Sequence, residues 1–258
     1  MAETPIHRPG SFCWADLATT DTEAAKEFYL QLFGWTSIDN TIDYGLVYSN
    51  FLLNGKPVAG LSEPIEEHKR LNLPPSWNAY ICTANADETL SKAVSAGAIV
   101  IMAAQDIMDE VRIGMFRDPE GVDLGVMQLQ NHKGFGIRDI HGAPCWLEYA
   151  SHDSDSTISF YGKVFGWTAK TEEIGEMQYT IFLSGDDMVA GLFKLPPRLS
   201  EVPSHWLPYY VVEGLESAIE FTNRSGGSVL MAPVFVEGIG TYGRIRDPQG
   251  GIIGLIQV

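Results

Sequence analysis

The sequence predicts an α+β chain built from four strand–helix–strand–strand–strand modules, with curled, mostly antiparallel sheets around cavities. Three observations predict it: an internal repeat, apolar spacing that switches between strand and helix periods, and a turn motif that recurs late in each copy. Residues 13–36 and 145–168 align without a gap and are identical at 10 of 24 positions, including the run F-Y-x-x-x-F-G-W-T. The copies then stay in step. Val58-Ala59-Gly60-Leu61 matches Val189-Ala190-Gly191-Leu192, Trp77 matches Trp206, and Arg117-Asp118-Pro119-Glu120-Gly121 matches Arg246-Asp247-Pro248-Gln249-Gly250. A repeat of this kind means that each copy is a structural unit of its own. The expected domains are residues 10–130 and 142–258, joined by a polar, Gly-rich linker at 131–141.

Each element has a local reason. Residues 11–18 alternate apolar and polar, which predicts a strand. Asp21 is a good N-cap, and Ala25, Phe28, Tyr29 and Leu32 follow helical spacing up to Gly34, which suits a left-handed helix end. Strands are expected at 36–40, 44–51 and 56–62. Residues 77–83 read as a further strand, and Asn85 or Asp87 then caps a second helix. Leu90, Ala93 and Val94 should form its buried side, and Gly97 its end. Strands at 98–103, 110–117 and 122–129 complete the copy, with Asp118-Pro119-Glu120-Gly121 as a type I turn. One module leaves a sheet face uncovered, so modules should pair, the first either with the second or with the fourth.

The chain has 258 residues, 45% of them hydrophobic, which is ample for packed cores. Its net charge of -16 repels a phosphate backbone and an anionic membrane surface, so neither nucleic acid nor membrane is expected as a partner. The N-terminal residues carry no apolar signal core, and no stretch has the length of a membrane span. Cys13, Cys82 and Cys145 form no CxxC and read as free thiols in a reducing cytoplasm. Cytoplasmic residence is the expectation, with export by a route lacking a signal peptide left open. Neither a P-loop nor a G-x-S-x-G elbow occurs.

The element order, the pattern D-x-x-x-A-x-x-F-Y-x-x-x-F-G-W and the late D-P-x-G turn together resemble the vicinal oxygen chelate superfamily. That group includes glyoxalase I, bleomycin-resistance proteins and extradiol dioxygenases. The likeness covers nearly the whole chain and is greatest to its tandem glyoxalase-like proteins, a group typified by a mycobacterial antigen and often labelled hydroxylases. Metal-using members hold a divalent cation on His, Gln or Glu from the first and last strands of paired modules. The resemblance places those positions on Trp14, Gly60, Asn78 and Gly125, and on Trp146, Gly191, Leu207 and Gly254. None of these side chains is a good first-row metal ligand. The resemblance therefore implies cavities without the usual Lewis acid: no cofactor is expected, and a divalent metal on displaced ligands is the alternative.

Candidate residues follow from strand period and from the repeat. Trp14 and Trp146 would point into the cavities and stack on a flat ligand, or else fill the space. Asp16 and Glu148, two residues on, share their face and are candidate general bases or ligand anchors. Tyr80 and Tyr209 either line a cavity or belong to the core. Arg112 and Arg244 could recognise an anion or serve in ion pairs. Asn78, His205 and Leu207 stand at or beside the expected ligand positions, His205 entering a site if its strand slips. Cys13 and Cys145 should face the other way, as buried inert thiols. The leading expectation is a monomer that binds a metabolite or antibiotic-like small molecule. The alternative is an enzyme, a lyase, isomerase, hydroxylase or dioxygenase using Asp16 or Glu148 or a displaced metal. A third possibility is a protein recognised through its surface.

Overall fold

The computed structural model describes residues 7–41, 45–174 and 177–258, with the side chains of 174 and 177 left aside. Position 44, the start of the strand expected at 44–51, lies outside these. Strand β1 (Phe12–Ala18) leads into helix α1 (Thr22–Phe33) and strands β2 (Thr36–Thr41), β3 (Val47–Leu53) and β4 (Lys56–Ser62). A short helix α2 (Glu66–Arg70), which the sequence pattern did not announce, precedes β5 (Ser76–Cys82), α3 (Ala86–Ser95), β6 (Ile99–Ile107), β7 (Val111–Arg117) and β8 (Asp123–Leu129). The second copy repeats the order with β9 (Pro144–Ser151), α4 (Ser154–Phe165), β10 (Thr168–Ile174), β11 (Met177–Ser184) and β12 (Asp187–Lys194). It finishes with β13 (His205–Val211), α5 (Leu215–Arg224), β14 (Ser228–Val236), β15 (Gly240–Arg246) and β16 (Ile252–Gln257).

The helix ends form for the expected reasons. Asp21 accepts from the Ala24 amide and Asp153 from the Ser156 amide, each satisfying an orphan donor of the first turn. Gly34 and Gly166 then stop α1 and α4 at φ of 67° and 73°. Asn85, rather than Asp87, caps α3. Val94 is half exposed, against the expectation of burial. The buried stripe of α3 runs through Ala86, Thr89, Leu90 and Ala93, and Val94 falls just beyond it.

Two eight-stranded sheets result, in the orders β2-β3-β4-β1-β5-β8-β7-β6 and β10-β11-β12-β9-β13-β16-β15-β14. Within each module the first and last strands pair in parallel, as Asp16 with Gly60 and Tyr80 with Gly125 show, while the hairpin neighbours are antiparallel. Compactness groups the modules differently from the sheets. One unit takes the chain through Cys13, Ala79–Gly134 and Trp146–Leu207, and the other takes Trp14–Asn78, Phe135–Cys145 and Pro208–Val258. The first module thus shares a sheet with the second and a compact unit with the fourth.

The turn motif explains how each unit is fastened. In the second unit Asp247 Oδ1 accepts from the amides of Gln249, Gly250 and Gly251, at 2.7–2.9 Å. Its Oδ2 accepts from Tyr29 Oη at 2.7 Å, and Trp77 Nε1 donates to that same hydroxyl. In the first unit Asp118 accepts from Tyr149 and Tyr161, and Trp206 Nε1 donates to Tyr161. The Tyr of the F-Y pair, the Trp of the fifth or thirteenth strand and the Asp of the D-P-x-G turn thus meet as one buried triad in each unit. Burial raises both carboxyls above their ordinary value despite these donors. The segment at 131–141 is no loose tether: Phe135 is fully buried, and just beyond it the Gly142 carbonyl accepts from Trp35 Nε1 at 2.6 Å.

Candidate functional site

In the second unit β1, β3 and β5 bring Trp14, Asp16, Tyr48 and Asn78 together. Trp14 Nε1 donates to Tyr48 Oη at 2.7 Å, and Tyr48 Oη lies 3.4 Å from Asp16 Oδ2. Asn78 Nδ2 donates to Asp16 Oδ1 at 2.9 Å. Trp14 and Asp16 are buried, whereas Tyr48 and Asn78 are half-buried. Burial and the Asp16 charge hold the Tyr48 hydroxyl well above its ordinary pKa, so it stays a neutral donor. Phe135 packs against Trp14 with ring centroids 5.4 Å apart, covering part of the indole.

The first unit contains the counterpart. Trp146 Nε1 donates to Tyr179 Oη at 2.8 Å, on the sheet face that also carries Glu148, which is buried and paired in register with Gly191. Trp146 and Tyr179 are half-buried, and among the described residues no ring contact to Trp146 corresponds to that of Phe135 on Trp14. Leu207 stands where the first copy has Asn78, so Glu148 has no amide donor at that position. His205 Nδ1 lies 2.8 Å from the Pro203 carbonyl, occupied by its own loop.

Other candidates take different places. Arg112 donates to Asp87, Asp106 and the Ala104 carbonyl. Arg244 donates through Nε to Tyr209 Oη at 2.9 Å. Tyr80 and Tyr209 are buried and lie directly over Gly125 and Gly254. The Cys13 thiol bonds the Tyr80 carbonyl and the Cys145 thiol the Tyr209 carbonyl; Cys145 is half-buried rather than buried. A cavity of about 230 Å³ opens elsewhere in the second unit, against Leu32, His141, Val212 and Phe221, and no predicted site residue lines it.

Sequence reasoning missed Tyr48 and Tyr179, although the repeat contains the signal: they are separated by the same number of residues as Gly60 and Gly191. Their importance is steric. A Cβ on Gly60 would sit 1.9 Å from Tyr48 Oη, and one on Gly191 would sit 1.8 Å from Tyr179 Oη. A Cβ on Gly125 would meet the Tyr80 ring at 2.1 Å, and one on Gly254 the Tyr209 ring at 2.3 Å. At each glycine that the resemblance assigns to a metal ligand, a tyrosine fills the space a side chain would need. The remaining positions hold indole, leucine and a neutral amide, so these residues do not fit a divalent cation. Among the described residues no cluster of three or more His, Cys, Asp or Glu side chains is gathered for one.

The profile described as Glyoxalase/Bleomycin resistance protein/Dioxygenase superfamily matches residues 11–126. The protein named "Putative glyoxylase CFP32" of Mycobacterium tuberculosis is 34% identical over 259 residues, spanning 100% of this chain and 98% of that protein. The chain belongs to the glyoxalase/bleomycin resistance/dioxygenase superfamily. A second full-length relative is the anthracycline biosynthesis protein DnrV of Streptomyces peucetius, 25% identical over 260 residues and covering 97% of this chain and 94% of that one. In fold, this superfamily member is similar to the Mn(II)-bound glyoxalase from Novosphingobium aromaticivorans. The TM-score is 0.64 at 14% identity, with 98% of this chain and 83% of that chain covered. It is similar also to 2,2',3-trihydroxybiphenyl 1,2-dioxygenase from Sphingomonas wittichii, with TM-score 0.61 at 13% identity over 97% and 91% of the two chains. No helix among the described residues is long and apolar enough to cross a membrane.

Proposed function

We propose that this superfamily member binds a small molecule, a metabolite or an antibiotic-like compound, on aromatic and carboxylate groups and without the divalent metal of its chelating relatives. One observation carries the reading: each copy sets a tryptophan, a tyrosine and a carboxylate on the strands where a chelate would form, with the tyrosine hydroxyl in the ligand's place. Half-buried Trp146 and Tyr179 offer an aromatic surface for a planar ligand. The likeness to an anthracycline biosynthesis protein supports a polycyclic aromatic compound as a first choice. Tryptophan fluorescence titrated against a metabolite and antibiotic panel that includes anthracyclines tests the reading. Binding at about micromolar concentration or tighter is expected, and silence across the panel removes it.

A second reading, metal-independent catalysis, draws on the first-copy geometry. Asn78 and Tyr48 orient the Asp16 carboxylate as a general base is oriented, with a neutral phenol beside it as proton donor. Once a substrate is in hand, Asp16→Asn combined with Glu148→Gln should abolish turnover while leaving binding measurable. Unchanged turnover would remove both carboxylates from the chemistry.

A further inference from the structure

We propose that the cavity between α1 and α5 is a separate small-molecule site, and that its ligand is a flat heteroaromatic compound of one or two rings with an amino group beside a ring nitrogen. All its walls belong to the second unit. Leu32 comes from α1, Ala218 and Phe221 from α5, and Val212 from the turn between β13 and α5. The volume is about 230 Å³. Pockets for drug-sized compounds hold about 300–1,000 Å³, so this one suits a smaller molecule. It is also reachable. Val212 and Ala218 are buried and form the floor, whereas Gln31, His141, Glu213 and Ser217 are exposed and form the rim.

The apolar wall sets the shape of the ligand. Buried Phe28 packs against Phe221 with ring centroids 5.4 Å apart, which fixes the Phe221 ring beside the cavity. A fixed ring next to Leu32 and Ala218 favours a flat aromatic partner. The rim sets the polarity. His141 Nδ1 accepts from the Glu213 amide at 3.0 Å, so the ring proton stands on Nε2 and His141 offers one donor. Its neighbours hold it there: the Gly142 amide donates to the Val211 carbonyl and the Val211 amide to the Ala143 carbonyl. Gln31 gives its amide nitrogen to Glu27 at 3.4 Å, which leaves its oxygen as an acceptor. Ser217 Oγ donates to the Gly214 carbonyl and keeps only acceptor capacity. Glu213 adds negative charge to the rim. One donor among several acceptors asks for a ligand with one acceptor and an amino group. A ring nitrogen beside that amino group supplies both in one plane. A carboxylate or phosphate would be repelled by Glu213, and the chain's net charge of -16 opposes an anion at longer range.

The first copy supplies an internal control. By the repeat, Ser217 corresponds to Glu88 and Phe221 to Lys92. Those two residues of α3 form an ion pair at 2.8 Å, four residues apart. Such a pair is an ordinary solvated helix face. In α5 a small hydroxyl and an aromatic ring stand at the same two positions, and there the helix borders a hollow.

The test is calorimetric titration of the full chain with three matched probes: 4-aminoquinazoline, which carries both groups, quinazoline, which lacks the amino group, and 1-aminonaphthalene, which lacks the ring nitrogens. 4-Aminoquinazoline should bind at about 0.1–1 mM, the range open to a molecule of its size. Each of the other two should bind about two- to tenfold more weakly, for the one hydrogen bond lost. Ser217→Glu combined with Phe221→Lys, which copies the pair that α3 carries, should abolish binding. If that variant fails to fold, His141→Ala at the exposed rim should reduce 4-aminoquinazoline to the affinity of 1-aminonaphthalene. No binding of 4-aminoquinazoline, equal binding of the three probes, binding that survives the double change, or a ring-nitrogen advantage that survives His141→Ala would each overturn the proposal. None of these results touches the Trp14 and Trp146 clusters, whose residues do not line this cavity.

Discussion

Tyr48 is the residue on which the first cluster turns. Its hydroxyl is the acceptor for the Trp14 indole and a donor toward Asp16, in a place where Trp14 is almost fully buried. Tyr48→Phe leaves the indole N–H unanswered, which costs about 1–3 kcal/mol. The urea midpoint should fall with an unchanged slope. Tyr179→Phe removes the equivalent bond, but Trp146 is half-buried and water can replace the lost acceptor. Its effect should be the smaller of the two; a larger one would mean that the second cluster is drier than its exposure shows. The glycines beneath make a companion case. Gly60→Ala forces the Tyr48 hydroxyl from its place, since the new Cβ would lie 1.9 Å away. Overpacking of this kind costs about 1–3 kcal/mol. Chemical denaturation should show that the cost falls when Tyr48→Ala is added, because the two changes relieve one clash.

At the scale of elements, the D-P-x-G turn is a fastening whose strength depends on pH. Burial raises the Asp118 and Asp247 carboxyls, so the native chain holds their protons more tightly than the unfolded chain does. The sign follows from linkage. This contribution to stability is fully present below the unfolded carboxyl value of about 4 and is lost as pH rises through the folded value. Asp247→Asn removes it. The stability of the unaltered protein relative to that variant should therefore decline as pH rises through that window, measured by urea unfolding at a series of pH values. A difference that grows with pH would show that the turn amides and Tyr29 outweigh burial. Asp247→Ala is the harsher change, because Tyr29 and three turn amides lose their acceptor. A loss of about 1–3 kcal/mol for each buried donor left without an acceptor is expected for it, read from the same unfolding curves.

For the whole molecule the first question is metal. Purified untagged chain, incubated with Zn, Ni, Mn or Fe and then desalted, should retain less than stoichiometric metal. Its melting temperature should not rise, since a ligand that binds only the native state must raise it. One or two bound ions per chain would place a metal on residues outside the positions weighed above, and lyase and dioxygenase assays would come next.

Much of the fold was legible because it is written locally and written twice. Asp21 and Gly34, the spacing of Ala25, Phe28 and Tyr29, and the Asp118 and Asp247 turns are all short-range signals, and the repeat confirms each by a second instance. The face shared by Trp14 and Asp16 was also legible, because strand alternation needs no tertiary information. Short-range signals did not reach the partners. Tyr48 and Phe135 come to the first cluster through the register of β3 on β4 and through the path of the 131–141 segment. Register depends on which strands meet, and a shift by one residue would turn every side chain to the other face. Val94 misled for a related reason: apolar character places a residue near a buried stripe, but packing decides where the stripe ends. The sequence by itself determined four modules with their caps and turns. Only the tertiary structure decided that tyrosines lie over Gly60, Gly125, Gly191 and Gly254, that Arg112 meets Asp87 and Asp106, and that modules share sheets in one combination and compact units in another. Those outcomes rest on contacts between residues far apart in the chain, whose energies exist only once the strands have paired.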